Sequence, residues 1–311
     1  MGVLQFECHI SKYKIQKRSD RQDPNRLNCL IHSGERCDAM SIKMILTDLD
    51  RTLLRSDASI SDHTKQVLKR CQDRGILVVI ATARYWIGAE RYINEIQPDY
   101  EITTDGTLIH CRDHDSPGNN AGSKQLYSLS MDTKDADQIV QDLLKHDPAT
   151  EITVASGQQV FWNSSHISES EKLHKAVYSD YSAPLTCPVN KIVAELSDRK
   201  TAEAIADRYH CRLQSYRGEN WYAFLPEDSG KIQAIRALAA LLGIPLSDIA
   251  AFGDDTNDME MLQICGIGVA VSNAVNDVKA VANCIALSND EDGVADWIET
   301  NILKPRQSES E

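Results

Sequence analysis

Short apolar runs alternate with amphipathic stretches along most of the chain. Residues 44–47, 76–81, 249–252, 268–271 and 284–287 are runs with little polar alternation. Such runs are typical of strands that are covered on both faces, as in a parallel sheet. Apolar positions at helical spacing predict helices over residues 62–74, 85–96, 231–242, 258–265 and 294–303. This order of elements predicts an α/β fold with a doubly wound, mainly parallel sheet.

The middle of the chain has a different pattern. Residues 125–130, 190–196, 212–216 and 221–225 are strand candidates, and residues 133–145, 168–178 and 199–209 have helical spacing. This mixture predicts an α+β cap domain that is inserted into the core. We therefore predict a core domain over residues 41–110 and 225–304, a cap domain over 111–224, and a polar tail over 305–311.

Residues 1–40 follow neither pattern. They contain three of the nine cysteines. Seven Lys and Arg against five Asp and Glu give this segment a net charge of about +2, so the rest of the chain has a net charge of about −15. We interpret them as a disordered or non-native extension before a start at Met40, with a regulatory arm as the alternative. A chain that begins at Met40 is expected to fold and to keep its activity.

The composition restricts the class of protein. Of the 311 residues, 42% are apolar and 25% are charged, as in a globular enzyme. A net charge of −13 without a dense block of Lys and Arg argues against nucleic-acid binding. No apolar run approaches the roughly 18 residues that span a bilayer, and the first thirty residues lack the apolar region of a secretory signal. The scattered cysteines indicate free thiols in a reducing compartment, so we expect a cytoplasmic protein.

Two carboxylates directly follow the first predicted strand, in the sequence Asp48-Leu49-Asp50-Arg51-Thr52. Ligands of open α/β sheets bind beyond the carboxyl ends of the strands. One carboxylate there can attack phosphorus, while the other protonates the leaving oxygen and later takes a proton from water. The motif is short, and ordinary turn formation by Asp is the alternative.

Two further clusters suit a phosphate group. Thr82-Ala83-Arg84 follows the second apolar run, and its hydroxyl and backbone N–H groups can bind phosphate oxygens. Helix capping by Thr82 is the alternative. Lys231 begins a predicted helix, where its ammonium group can neutralise a phosphate or hold the charge of a nucleophile. A solvated lysine is the alternative there.

The fourth cluster is the sequence Gly-Asp-Asp-Thr-Asn-Asp at residues 253–258, directly after the run 249–252. Asp254 and Asp258 offer two hard oxygen ligands at the strand end and in the first turn of the next helix, which suits Mg²⁺. An N-cap cluster that complements the helix dipole is the alternative. The position after a buried strand favours metal binding.

These four clusters, in this order, resemble those of the haloacid dehalogenase (HAD) superfamily, and specifically its Cof-like phosphatase branch with a large α/β cap. The resemblance covers about residues 42–304 and includes the segments 268–274 and 289–295. It implies a HAD-like Rossmannoid core and Mg²⁺ as cofactor. It also implies a phosphatase that hydrolyses small phosphorylated metabolites, such as sugar phosphates, through an aspartyl-phosphate intermediate.

The resemblance further implies a role for each matching residue. Asp48 would be the nucleophile and a metal ligand, and Asp50 the general acid and base and a metal ligand through its backbone carbonyl. Asp254 would be the third metal ligand, and Asp258 would support the site or its waters. The phosphate would be bound by Thr82, Lys231, Asn257 and the backbone N–H groups of Leu49 and Ala83.

Three residues depart from the family pattern. Arg51 and Ala83 stand where the family often has glycine, so they could narrow phosphate access or change the conformation of their loops. Ile232 follows Lys231 where glycine is usual, and we expect it to affect only the start of the helix. None of these changes removes a charge that the mechanism requires.

Two other functions stay open at this point. A phosphomutase of the same superfamily would need a bisphosphate activator and would transfer phosphate poorly to water. A catalytically inactive phosphosugar-binding regulator is disfavoured because all the charged residues of the four clusters are present. The expected partner is a small phosphorylated metabolite, without nucleic acid or membrane, and the expected state is a monomer or weak homodimer.

Overall fold

The computed structural model describes residues 42–112, 123–164, 176–216 and 219–304, all within the unit Met40–Glu311. The strands are β1 (Met44–Thr47), β2 (Leu77–Ala81), β3 (Tyr100–Thr103), β4 (Leu108–Arg112), β5 (Ser123–Ser128), β6 (Ile152–Ser156), β7 (Gln159–Trp162), β8 (Val177–Tyr178), β9 (Lys191–Glu195), β10 (Cys211–Ser215), β11 (Trp221–Pro226), β12 (Ile249–Gly253), β13 (Ile267–Val271) and β14 (Cys284–Ala286).

The α-helices are α1 (Asp62–Asp73), α2 (Trp86–Ile96), α3 (Thr133–His146), α4 (Arg199–Arg208), α5 (Lys231–Leu242), α6 (Met259–Ile264), α7 (Asn276–Val281) and α8 (Gly293–Ile298). Short 3-10 or π-helical turns lie at Leu49–Leu53, Thr104–Gly106, Leu246–Asp248, Thr256–Asp258, Asn289–Glu291 and Glu299–Leu303. In the described part of the chain, no helix combines the length and the apolar character needed to cross a membrane.

The larger sheet has eight strands in the order β14-β13-β12-β1-β2-β3-β4-β5. The pairs from β14 to β3 are parallel, and the last two strands are antiparallel. The central strands β1 and β12 are buried along their whole length. This burial is the reason that both appear in the sequence as continuous apolar runs. The predicted mainly parallel α/β core is confirmed.

The order of strands reverses at β1. From β1 the chain proceeds to β2 and β3 on one side of the sheet, whereas β12, β13 and β14 follow one another on the other side. A crevice for ligands forms at the carboxyl ends of the strands at such a switch point. The fold therefore brings the residues after β1, β2 and β12 to one place.

The smaller sheet has six strands in the order β10-β11-β9-β6-β7-β8, and all its pairs are antiparallel except β7 with β8. A separate apolar core lies between this sheet and its helices, with Ile139 and Leu143 from α3, Ile205 from α4, and Ile192 and Phe224 from the strands. This second sheet confirms that the chain has an additional α+β cap domain.

One predicted strand of the cap belongs to the larger sheet instead. Residues 125–130 were expected in the cap, but β5 pairs with β4 at the edge of the larger sheet. Most side chains of β5 are exposed, so their pattern does not indicate which sheet the strand joins. The hairpin of β4 and β5 covers the edge of β3, and the smaller sheet begins only with β6.

Other differences concern short strands. The helix predicted over 168–178 is wrong at its end, because Val177–Tyr178 form β8, and its first part falls on residues that are not described. The hairpin of β6 and β7, which turns at a left-handed Gly157, was not predicted. The predictions for residues 1–40 and 305–311 also lie outside the described residues.

Candidate active site

Asp48 lies directly after β1 and is buried. Its N–H donates to the carbonyl of Phe252 (3.0 Å), which joins the end of β1 to that of β12. Arg51, in the turn that follows, has a left-handed backbone (φ 57°). For a residue with a Cβ this conformation costs roughly 1–2 kcal/mol. Asn273 holds the turn by donating to the Arg51 carbonyl (2.7 Å), so the departure from glycine is accommodated by local contacts.

Asp258 organises the loop after β12. Its Oδ2 accepts hydrogen bonds from the N–H groups of Asp254 (3.0 Å) and Asp255 (3.2 Å). Gly253 is needed for this approach, because a Cβ there would lie 2.5 Å from the Cβ of Asp258. The glycine thus allows the side chain of Asp258 to fold back over the end of the strand.

Lys231 is buried at the first position of α5. Its Nζ donates to Oδ1 of Asp48 (2.5 Å) and to Oδ1 of Asp258 (2.7 Å). Burial alone would lower the pKa of Lys231, but the charges of Asp258 and Asp48 and their hydrogen bonds outweigh it and raise the pKa above its ordinary value. The side chain is therefore an ammonium group over the physiological range.

Asp48, Asp254 and Asp258 form a cluster of buried carboxylates, with one oxygen of each within 4.8 Å of the others. Burial raises the pKa of Asp48 well above its ordinary value against the opposing charge of Lys231, and Asp258 and Asp254 add to the increase. Burial, with the neighbouring Asp258, raises the pKa of Asp254 to about 7. Thr52 orients Asp254 by donating from Oγ1 to its Oδ1 (3.0 Å).

The composition of this cluster fits a divalent cation. Three carboxylates face the single positive charge of Lys231, and carboxylate oxygens are the ligands that Mg²⁺ prefers. Both oxygens of Asp258 accept hydrogen bonds from the protein. In the hydrogen bonds described, Asp48 and Asp254 each accept through Oδ1 of the side chain, which leaves Oδ2 of each for a ligand. This is consistent with a supporting role for Asp258.

Asp50 has different surroundings from Asp48. Its side chain is 51% exposed, and Arg84 donates to both of its oxygens, from Nε (2.8 Å) and from Nη2 (2.6 Å). Asp50 is not one of the three clustered carboxylates. The structure therefore separates the two aspartates of the first motif, and it gives Arg84, to which sequence reasoning assigned no role, a definite contact.

The turn after β2 is held by hydrogen bonds on several sides. The N–H of Thr82 donates to the Ile102 carbonyl (2.8 Å), and the N–H of Arg84 donates to Oγ1 of Thr82 (3.1 Å). The carbonyl of Ala83 accepts from Nζ of Lys191, a cap residue (3.0 Å). Thr82 is fully buried, so its hydroxyl has a fixed environment.

Two other residues predicted to bind phosphate lie nearby. Leu49 is fully buried beside Asp48. Asn257 is half-buried and lines a cavity of about 330 Å³ that also includes Ser215 and Tyr216 of the cap. Ile232 is buried against the core at the start of α5, as its position in a regular helix requires.

A cavity of about 450 Å³ lies between the larger sheet and the cap. Asp50, Ala83 and Arg84 line it from the core side. Most of the remaining wall is apolar or aromatic, and its polar members are Thr153, Lys191 and Glu219. The apolar and aromatic members are Tyr85, Ile87, Gly88, Val160, Trp162, Ala176, Val193, Tyr216 and Trp221. Asp50 and the aromatic side chains of core and cap thus line the same cavity.

Sequence reasoning missed Thr52, Arg84, Lys191 and Asp105. Thr52 and Arg84 belong to motifs that had been identified, so their polar side chains were the available signal. Lys191 and Asp105 form a buried ion pair (2.6 Å) between cap and core. They are 86 residues apart in the chain, and no spacing rule connects them.

Comparison with known proteins assigns the family. A family model of haloacid dehalogenase-like hydrolases matches residues 45–298. The chain belongs to this family. A crystal structure of a haloacid dehalogenase-like hydrolase from Bacteroides thetaiotaomicron superimposes with a TM-score of 0.68 at 25% identity, over 83% of this chain and 98% of that one.

Two curated relatives are similar over most of the chain. YitU of Bacillus subtilis, a 5-amino-6-(5-phospho-D-ribitylamino)uracil phosphatase, is 27% identical over 82% of this chain and 96% of its own length. The chloroplastic endoribonuclease YBEY of Arabidopsis thaliana is 28% identical over 93% of this chain, but the chain spans only 51% of that protein. This HAD-like hydrolase is a phosphoric monoester hydrolase of the Cof-like branch.

Proposed function

We propose that this protein hydrolyses phosphomonoesters of small metabolites by transferring the phosphoryl group to Asp48 and then to water, with Mg²⁺ bound by Asp48, Asp254 and the backbone carbonyl of Asp50. The observation that carries the proposal is the contact of buried Asp48 with Lys231, next to Asp254. A nucleophilic carboxylate must be ionised, and burial alone opposes ionisation. Lys231 opposes that effect and keeps the attacking oxygen in a fixed position.

The protein's own groups divide the remaining work. Thr52 and Asp258 hold Asp254 and its loop in place. Mg²⁺, when bound, would neutralise phosphate charge and leave the phosphorus open to in-line attack. Asp50 would protonate the leaving oxygen and then take a proton from the attacking water; to carry that proton, it would release one of the two oxygens that Arg84 contacts.

The cavity suggests the character of the leaving group. Its lining includes Asp50 as well as Trp162, Tyr216 and Trp221. Flat side chains of this kind bind flat or weakly polar groups by stacking. We therefore favour phosphate esters whose leaving group carries a ring over small open-chain sugar phosphates. The name of the relative YitU, which includes a uracil ring, is consistent with this choice.

Asp48→Asn and Asp50→Asn test the mechanism as a matched pair, since each exchanges one carboxylate for an amide of the same shape. Asp48→Asn should form no phosphoenzyme, because the amide is a poor nucleophile. Asp50→Asn should keep phosphate binding and lose roughly 10²–10⁴ in turnover, the usual range for acid and base catalysis. The loss should be smaller for aryl phosphates, whose leaving groups need little protonation.

Labelling by beryllofluoride, which mimics the phosphoryl group on a carboxylate, distinguishes the outcomes. We expect labelling of Asp50→Asn and none of Asp48→Asn. Labelling of only Asp48→Asn would reverse the two roles, and labelling of both would exclude covalent transfer to Asp48. Turnover that depends on an added sugar bisphosphate would favour a phosphomutase instead.

A further inference from the structure

Lys191 joins the cap to the turn that follows β2. It is the first residue of β9, and its side chain is only 4% exposed. Its Nζ contacts Oδ2 of Asp105 (2.6 Å) and donates to the carbonyl of Ala83 (3.0 Å). The ammonium group also lies over the rings of Tyr85 (4.8 Å) and Tyr216 (5.2 Å). A buried lysine with this many partners is held in one position.

The hydrogen bond to Ala83 has a consequence for Thr82. The peptide group whose carbonyl accepts from Lys191 also contains the N–H of Arg84, and that N–H donates to Oγ1 of Thr82 (3.1 Å). Lys191 therefore polarises and orients the peptide group between Ala83 and Arg84. The N–H of that same peptide group donates to one lone pair of the Thr82 hydroxyl. With this lone pair occupied, the rotation of the hydroxyl is restricted, and its hydrogen stays available as a donor among the hydrogen bonds described.

The partner of Lys191 lies on a strained turn. Thr104 and Asp105 both have left-handed backbones, with φ of 55° and 54°, a conformation that residues with a Cβ retain only where their surroundings impose it. Thr104 N–H donates to the carbonyl of Arg84 (2.7 Å). A Cβ on Gly106 would lie 2.3 Å from the carbonyl oxygen of Gly230, directly before Lys231. The turn thus contacts both phosphate-binding segments of the core.

We propose that Lys191, although it belongs to the cap, is a positioning residue that sets the geometry of the phosphate-binding turn through its hydrogen bond to the carbonyl of Ala83. Asp105 holds the lysine in reach of that carbonyl. The role rests on the proposed phosphoryl transfer. It predicts that Lys191 affects the binding of the phosphoryl group of every substrate to the same extent, although Lys191 belongs to the cap and also lines the cavity.

The test compares Asp105→Asn with the double variant Lys191→Met, Asp105→Asn. Both lack the ion pair. Asp105→Asn leaves the buried ammonium group of Lys191 without its carboxylate, a destabilising change whose cost the melting temperature reports, whereas the double variant leaves no buried charge at this point. Only the single variant keeps the donor to the Ala83 carbonyl. Lys191→Arg serves as the rescue variant, since the adjoining cavity offers room for its longer side chain. Each protein is assayed with 4-nitrophenyl phosphate and ribose 5-phosphate, with inorganic phosphate as competitive inhibitor, and its melting temperature is measured.

The double variant should bind inorganic phosphate about tenfold more weakly than Asp105→Asn, the effect of losing roughly one hydrogen bond to a charged group. Its kcat/KM should fall by the same factor for both esters, and Lys191→Arg should remain close to the wild type. Equal kinetics of the single and double variants, with a difference only in melting temperature, would reduce Lys191 to a structural residue. A changed preference between the esters with unchanged phosphate inhibition would assign it to the leaving group. Absence of turnover in the wild type would instead refute the proposed function.

Discussion

Glu101 and His110 are two buried ionisable groups that the proposed mechanism does not use. They are direct partners across β3 and β4, and they are 2% and 1% exposed. Burial raises the pKa of Glu101 from 4.5 to about 7, and burial lowers the pKa of His110 from 6.5 to about 4. Nδ1 of His110 has no hydrogen-bond partner among the described residues. Near pH 5.5 both side chains are therefore neutral in the folded protein.

The two groups change the free energy of unfolding in opposite directions. Between pH 4.5 and about 7 the unfolded chain loses the proton of Glu101 before the folded protein does, so stability falls as the pH rises. Between pH 6.5 and about 4 the unfolded chain takes up a proton on His110 first, so stability falls as the pH decreases. Each pKa difference corresponds to about 3 kcal/mol over its range, and the two slopes largely cancel where they overlap.

Glu101→Gln and His110→Gln should separate these slopes. Glu101→Gln removes the group whose ionisation lowers the free energy of unfolding at high pH. The difference in free energy of unfolding between this variant and the wild type should therefore shift by about 3 kcal/mol in favour of the variant from pH 4.5 to pH 8. His110→Gln should have the opposite profile and gain about 3 kcal/mol at pH 4 relative to pH 7. A packing defect from either substitution would shift the whole curve by a constant and leave these differences intact.

Urea unfolding at half-unit steps between pH 4 and 8 measures both profiles. The reasoning requires that the two variants differ in the sign of their pH dependence. If instead both variants lose stability near pH 6 by similar amounts, Glu101 and His110 form a buried ion pair in the folded protein. The assignment of two neutral groups would then be wrong.

Three further predictions concern the active site. Gly253→Ala should reduce turnover roughly 5- to 150-fold, because a Cβ 2.5 Å from that of Asp258 must displace it, an overpacking change that costs roughly 1–3 kcal/mol. Gly88→Ala in α2 is the control and should lose far less turnover, since its Cβ would come no closer than 4.0 Å to its nearest neighbour, Cβ of Arg84. Trp221→Ala should change the ranking of phosphate esters in kcat/KM without altering the metal requirement, and an unchanged ranking would place specificity in the core. EDTA should suppress turnover, and added Mg²⁺ should restore it. Ca²⁺ should restore turnover poorly, because the larger coordination shell of Ca²⁺ disturbs the in-line geometry. Full turnover in metal-free protein would exclude a metal requirement.

Much of the core could be predicted from sequence because burial on both faces leaves a direct mark. The runs that became β1, β2 and β12 contain few polar residues, and the polar clusters begin where each run ends. In a doubly wound sheet, the carboxyl ends of these strands meet at the switch point, so their proximity can be predicted without knowledge of side-chain contacts. The same logic explains why the cluster of Asp48, Asp254 and Asp258 was accessible to sequence reasoning.

The cap was harder to predict because its strands are short and partly exposed. Buried and exposed side chains do not alternate clearly along β5. The hydrophobic pattern therefore does not indicate that β5 extends the larger sheet. β8 has two residues, both exposed, and its neighbours were taken for a helix. The contact of Lys191 with Asp105 depends on how the cap meets the core, which no local pattern encodes.

The two aspartates of the first motif show how environment, rather than residue type, sets a role. In a strand, residues two apart point to the same side, and Asp48 and Asp50 would then share one environment. The chain instead leaves β1 at Asp48 and enters a turn in which Asp50 is extended (φ −70°, ψ 125°) and Arg51 is left-handed. Asp48 is consequently buried against Lys231, whereas Asp50 is half-exposed, paired with Arg84 and part of the cavity wall. Under the proposed function, the phosphorus faces Asp48 and the leaving oxygen faces Asp50, so one short turn assigns the nucleophile and the acid to opposite sides of the bond that breaks.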